Sequence, residues 1–167
     1  SGVPFYRARE IVKLCNAGYV NNELYISEEM YEKYKLEFGA PKYNDLLVTA
    51  VGTLGRLYVV KESDRFYFKD GNIIWFKNID LANSQYVKQL FQTKIIKKQI
   101  EDNASITTVG TYTIEFAKKT RIPFPCKEEQ TKIANFFSAI DDKINHCQTQ
   151  IDKTEMWKKG LLQRMFC

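Results

Sequence analysis

Between Lys127 and Phe166 the chain contains no proline, whereas Pro123 and Pro125 stand immediately before that stretch. This restricts the fold more than any other feature. Proline fixes φ and turns the residue before it away from helical geometry, so residues 122–126 are held extended and a helix can begin only after them. Lys127-Glu128-Glu129-Gln130 follows, with two carboxylates in the first turn, where the helix dipole favours negative charge. One long helix is predicted from there to the end of the chain.

Along this stretch Ile133, Phe137, Ile140, Ile144, Cys147, Ile151 and Thr154 recur at alternating spacings of four and three, the seam of a coiled coil. After Lys158 the register changes, and Trp157, Leu161, Leu162 and Met165 form the next apolar set. The plain alternative is an amphipathic helix folded back on its own domain. A straight helix from Glu128 to Phe166 would extend ~58 Å at ~1.5 Å per residue, more than the preceding residues can easily cover. Part of the seam is therefore expected to meet a second helix, with Ile133, Phe137, Ile140, Ile144, Cys147 and Ile151 as the dimerisation residues.

The chain has 167 residues, 44% hydrophobic and 27% charged, which suits one domain with a core plus an appendage. No apolar run approaches a membrane span, and no signal peptide is visible. The first residue is Ser1 rather than methionine, so a processed or trimmed product is expected. Cys15, Cys126, Cys147 and Cys167 are scattered, with no CxxC and one histidine among them, which favours a reduced cytoplasmic protein without zinc. Of 25 Lys/Arg and 20 Asp/Glu, residues 127–167 hold 7 and 6, leaving 18 against 14 in the first 126. An excess of this size fits a local nucleic-acid patch, and equally a protein with no such partner.

The first 126 residues read as a compact mixed α+β domain. Ser27 caps a predicted helix through Tyr31 and Tyr34 that ends at Gly39 and Pro41. Residues 45–51 and 57–60 read as buried strands around the turn Gly52-Thr53-Leu54-Gly55, and Asp70-Gly71 between residues 65–68 and 73–76 signals a hairpin. Ser84 can cap a helix to about Glu101, with Val87, Leu90, Phe91 and Ile95 inward and Ile96 as a further candidate for that face. A polar segment, 102–113, then leads to a last strand ending at Pro125.

Chemistry is hard to place. Gly52-Thr53-Leu54-Gly55 lacks both the spacing of a dinucleotide loop and a following Gly-Lys-Ser/Thr, so it reads as a tight turn. His146, the only histidine, lies near the helical seam, and adjacent Asp141 and Asp142 point in different directions. No catalytic residue, metal site or cofactor is assigned.

Pro123-Phe124-Pro125 followed by Glu129-Gln130, Ile133-Ala134, Phe136-Phe137-Ser138, Ile140-Asp141 and Lys143-Ile144 resembles the junction in DNA specificity subunits of type I restriction-modification systems. The ending from Lys158-Lys159-Gly160 through Arg164-Met165-Phe166 is similar to that family's helix terminus. Gly2-Val3-Pro4-Phe5-Tyr6-Arg7 with Glu10-Ile11, and Asp45-Leu46-Leu47-Val48 leading to Arg56, resemble its target-recognition domain. The chain departs from the pattern in starting close to the Gly-Val-Pro-Phe motif, so that an edge strand is expected to be missing, and in carrying Ala104 before Ser105 where the family often has glycine.

The resemblance implies a target-recognition domain over 1–126 and a helical spacer over 127–167, together half of a subunit that usually has two of each. It implies a non-catalytic protein that reads one part of a split double-stranded DNA target. Separate modification (methyltransferase) subunits use S-adenosylmethionine, and a restriction subunit completes the complex. As a half subunit the chain is expected to form a homodimer through antiparallel helices, with no membrane partner. DNA reading needs cations for phosphates and short polar groups for base edges. Arg7, Arg56, Lys97 and Lys98 are candidates for the first, although each alone is an ordinary surface charge, and Arg7 and Arg56 can also reach guanine edges. Thr53, Thr107, Thr108 and Tyr112 are candidates for the second. A coiled-coil adaptor whose globular domain binds protein is the alternative from another class. A free-standing methyltransferase or nuclease is disfavoured by the missing chemistry.

Overall fold

The computed structural model describes residues 2–21, 24–69, 71–77, 82–104 and 110–166. Its centre is strand β3 (Leu46–Thr49), antiparallel to both β4 (Leu57–Val59) and β6 (Ile73–Phe76). Alternation along these strands sorts the side chains into two layers. Leu47, Tyr58 and Ile73 face one way, onto Ile11 and Leu14 of helix α1 (Ala8–Ala17). Leu46, Val48, Leu57, Val59 and Ile74 face the other way, onto helices α3 (Ser84–Phe91) and α4 (Lys94–Ala104) through Val87, Phe91, Ile96 and Ile100. Both faces of β3 are thus covered, which is why all four of its residues are buried.

A second, smaller sheet has β1 (Val3–Tyr6) in the middle, antiparallel to β2 (Tyr25–Ile26) and parallel to β5 (Tyr67–Phe68). Helix α2 (Glu28–Phe38) packs on it through Tyr31, and Ser27 caps it by accepting from Met30 N at 3.2 Å. The mixed α+β character, the capped α2 and the β3–β4 pair follow the sequence reading.

Three local expectations are corrected. The strands on either side of Asp70-Gly71 do not pair with each other: β5 joins β1 and β6 joins β3, while Phe68 and Trp75 meet edge to face at 5.8 Å. Asp70 itself lies outside the described residues. The helix expected from Ser84 is two helices, interrupted at Gln92-Thr93, and Asn83 rather than Ser84 is its cap, accepting from Gln85 N and Tyr86 N. Ser84 is buried and donates to the Asn44 carbonyl at 2.6 Å. The break shifts the helical phase, so Ile96 is buried and Ile95 is exposed.

Helix α1, which the sequence reading did not assign, has Arg7, a poor capping residue, at its N-cap and stops at left-handed Gly18, whose N–H reaches the Leu14 carbonyl at 3.0 Å. In the third correction, helix α5 (Ile114–Lys119), capped by Thr113, stands where a last strand was expected. Residues 121–125 after it are extended but held by side chains: Gln99 bonds both the N–H and the carbonyl of Arg121, and the Tyr86 hydroxyl donates to the Pro123 carbonyl at 3.0 Å. Pro123 and Pro125 have no N–H to offer a ladder.

Helix α6 is continuous from Lys127 to Phe166, as the absence of proline permits. Its start is fastened to α3. Buried Gln130 accepts from Asn83 N and donates to the Pro125 carbonyl, both at 2.9 Å, Ala134 enters the main core, and Asp141 accepts from Gln89 Nε2 at 3.0 Å. From Asp142 to Phe166 every residue except Gly160 is exposed. No helix among the described residues is long and apolar enough to cross a membrane.

Candidate nucleic-acid interface

The β3–β4 turn is shaped by one buried hydroxyl. Thr49, wholly buried at the end of β3, donates through Oγ1 to the Thr53 carbonyl and accepts there from Arg56 N at 3.1 Å; its own carbonyl takes the Gly55 N–H at 2.9 Å. Gly55 has φ +69°, and a Cβ there would lie 2.8 Å from Ile100 Cδ1, so glycine is required for the turn to close against α4. Thr53 and Arg56 are thereby presented to solvent on a fixed turn. Sequence reasoning found the turn but missed Thr49, which reads as an ordinary β-branched strand residue.

Lys97 and Lys98 are exposed on α4, the helix against which this turn closes. Tyr112 does not join them. Only 1% exposed, it donates its backbone N–H to the Ala50 carbonyl and shares a hydrogen bond with Thr120 Oγ1 at 2.8 Å, so it is a core residue beneath the turn rather than a reader of base edges. Burial pushes its phenol above the usual range, although the Thr120 bond acts the other way. Thr107, Thr108 and Ser105 lie outside the described residues.

Arg7 sits at the other end of α1. Glu10, 4% exposed, accepts from Arg7 N at 3.1 Å and Arg7 Nε at 3.3 Å with one oxygen, and from Arg9 Nε with the other. Burial pushes this carboxyl up, but the Arg9 and Arg7 bonds outweigh it and hold it below the usual carboxylate range. At the last turn of α1, burial pushes the Cys15 thiol up to about 11 against the opposing influence of Lys88 and Arg56. Arg56 and Lys88 therefore act electrostatically on the last turn of α1, whose other end carries Arg7.

The predicted dimerisation residues divide. Ile133 is partly buried against the main core, beside Gln130 and Ala134. Phe137, Ile140, Ile144, Cys147 and Ile151 are all exposed, Ile144 at 60%. At ~100° per residue the docked face through Gln130, Ala134 and Asp141 and the seam through Ile140, Ile144 and Ile151 lie roughly a quarter-turn apart. Attachment to α3 leaves the seam open. Among the described residues no group of three or more His, Cys, Asp or Glu is placed to hold a metal ion.

Residues 3–155 match the family described as the type I restriction modification DNA specificity domain. The chain is similar to a Haemophilus influenzae protein bearing the name type I restriction enzyme specificity subunit S.HindORF215P, 30% identical over 144 residues, which cover 86% of this chain and 34% of that protein. It is also similar to two Methanocaldococcus jannaschii proteins. The type I restriction enzyme MjaIX specificity subunit is 32% identical over 94 residues, covering 54% of this chain and 22% of that one. The MjaX specificity subunit is 25% identical over 176 aligned positions, covering 99% and 39%. The chain spans well under half the length of each relative.

Proposed function

Because the chain belongs to the type I restriction-modification DNA specificity family, we propose that residues 1–126 recognise one part of a split double-stranded DNA target. In this reading Thr53, Arg56, Lys97 and Lys98 contact DNA at the β3–β4 turn and on α4, Arg7 contacts it at the start of α1, and Thr107 and Thr108 contact it as well. The observation that carries the reading is the rigid presentation of Thr53 and Arg56 by buried Thr49. A turn whose backbone is already fixed pays less ordering entropy on binding than a flexible loop.

Two copies pair antiparallel through residues 127–167, which sets two recognition surfaces apart by a fixed distance. Support comes from the exposed seam, which attachment to α3 leaves facing solvent. The protein is non-catalytic and acts in the cytoplasm. Modification subunits carrying S-adenosylmethionine methylate adenine where this subunit places them, and a restriction subunit completes the assembly. The test is methyl transfer to DNA from S-adenosylmethionine, with this chain alone and with modification subunits added. Transfer at a defined split sequence is expected only in the combined reaction. Transfer by the chain alone, or combined activity unchanged by omitting it, would overturn the proposal.

A further inference from the structure

Helix α1 buries Glu10, Ile11 and Leu14 and turns Arg9, Lys13 and Asn16 to solvent. Those three stand at i, i+4 and i+7, so they form one ridge. Glu10 is the only acid on α1 and it points inward, which leaves the ridge with positive charge alone. Arg7 lies at its start, and Arg56 and Lys88 lie within reach of its last turn. Asp64, between β4 and β5, accepts from the Tyr58 hydroxyl at 2.7 Å and from Lys61 N at 2.8 Å. Ten residues of helix extend ~15 Å, comparable with the ~12 Å width of the DNA major groove. Cations at the two ends of such a helix suit phosphates on the two walls of one groove.

We propose that the outer ridge of α1 is a DNA-contacting element joining Arg7 to Arg56, with Arg9 and Lys13 on phosphates and Glu10 as the positioning residue that orients Arg7 and Arg9. This rests on the reading of the chain as a DNA-recognition subunit and deepens it. The buried Glu10 carboxylate holds both arginines by Nε, so their planes are fixed before DNA arrives. Arginine loses rotamer freedom when it binds, and prior fixation removes much of that cost. A buried charge also needs its partners, which ties the acid to the ridge rather than to solvent.

The experiment is fluorescence anisotropy of the full chain with a labelled random-sequence duplex of about 30 base pairs, titrated over a range of salt. Each lost phosphate contact reduces the slope of log K against log salt by ~0.9. Arg9→Ala and Lys13→Ala are each expected to flatten the slope by about one and to weaken binding several-fold at low salt. Lys33→Ala, an exposed cation on α2, should leave it unchanged. Glu10→Gln keeps an acceptor for Arg7 N but loses the ionic hold, and should weaken binding more in the wild-type background than in Arg9→Ala, where only the hold on Arg7 is left to lose, a coupling that a purely structural role would not produce. If wild type binds and the α1 variants bind with the same slope, the ridge is not the contact and only this inference falls. If wild type shows no salt-dependent binding, the DNA reading falls with it.

Discussion

Strand β3 and helix α6 use their apolar side chains in opposite ways. Leu46, Leu47, Val48 and Thr49 are covered on both faces by this chain alone. Helix α6 is covered on one face, over its first four turns, and leaves Ile140, Ile144, Ile151, Trp157 and Met165 exposed. Scattered exposed apolar residues are ordinary, but a continuous row of them at heptad spacing is the mark of a partner helix. The contrast teaches that burial within one chain does not measure how strongly a segment is constrained. The seam of α6 is as ordered in sequence as the strands of the core, yet this chain alone leaves it exposed.

The sharpest way to break this comparison is to shorten one side chain in each region. Leu47→Ala, at a wholly buried position, is expected to cost about 2–5 kcal/mol in urea unfolding. Ile151→Ala, measured at a concentration too low for pairing, should stay within about 0.5 kcal/mol of wild type. Equal losses would mean that the seam is covered within the monomer.

Charge in the seam should act on association instead. With Ile140 and Ile144 both replaced by glutamate, pairing is expected to weaken at least about a hundredfold, roughly 2.8 kcal/mol, while helical circular dichroism at low concentration is kept. Sedimentation reads the outcome, and a wild-type monomer at micromolar concentration would remove the partner altogether.

A smaller effect is expected at the junction of the two regions. Gln130→Ala leaves the Asn83 N–H and the Pro125 carbonyl without their buried partner, a loss of about 1–3 kcal/mol. Faster amide exchange in the first turns of α6, with β3 still protected, would show that Gln130 fastens the helix rather than the core.

The smallest effect concerns pH. The folded-state Glu10 carboxyl is held below its ordinary value of 4.5, so its contribution is present above that value and declines as pH falls through the folded pKa. Wild type and Glu10→Gln should therefore converge in melting temperature as pH is lowered below about 4.5, and differ by a constant amount near neutrality. A gap that widens on acidification would contradict the Arg7 and Arg9 bonds.

Much of the fold was legible where the signal was local. Ser27 and Gly39 bracket α2, two glycines mark the β3–β4 turn, and a proline-free run marks α6. The failures lie where distant partners decide. Asp70-Gly71 suggested a hairpin, but Tyr67 and Phe68 found β1, which approaches them from the start of the chain. Helix α1 lacked a recognisable cap because Arg7 cannot serve as Ser or Asp does, although Gly18 and the Glu10-Ile11-Leu14 spacing offered a signal. At the candidate interface, the turn carrying Thr53 and Arg56 was readable, and Thr49 beneath it was not. Tyr112 looked like a loop residue because its burial depends on Ala50 and Thr120.

The attachment of α6 to α3 has a mechanical consequence. Contacts from Gln130 to Asp141 hold about 18 Å of helix, and the stretch beyond, Asp142 to Phe166, adds ~37 Å at ~1.5 Å per residue. The helix is thus a lever with its fulcrum at α3 and an outer arm twice as long as the inner one. A tilt that moves the Gln130 end by 1 Å about Asp141, on the order of a side-chain repacking, carries the tip by ~2 Å the other way. The bond from Gln89 to Asp141, the last in the attachment, therefore aims the arm, and a substitution there acts on where the far end points while leaving both the core and the seam chemically unaltered.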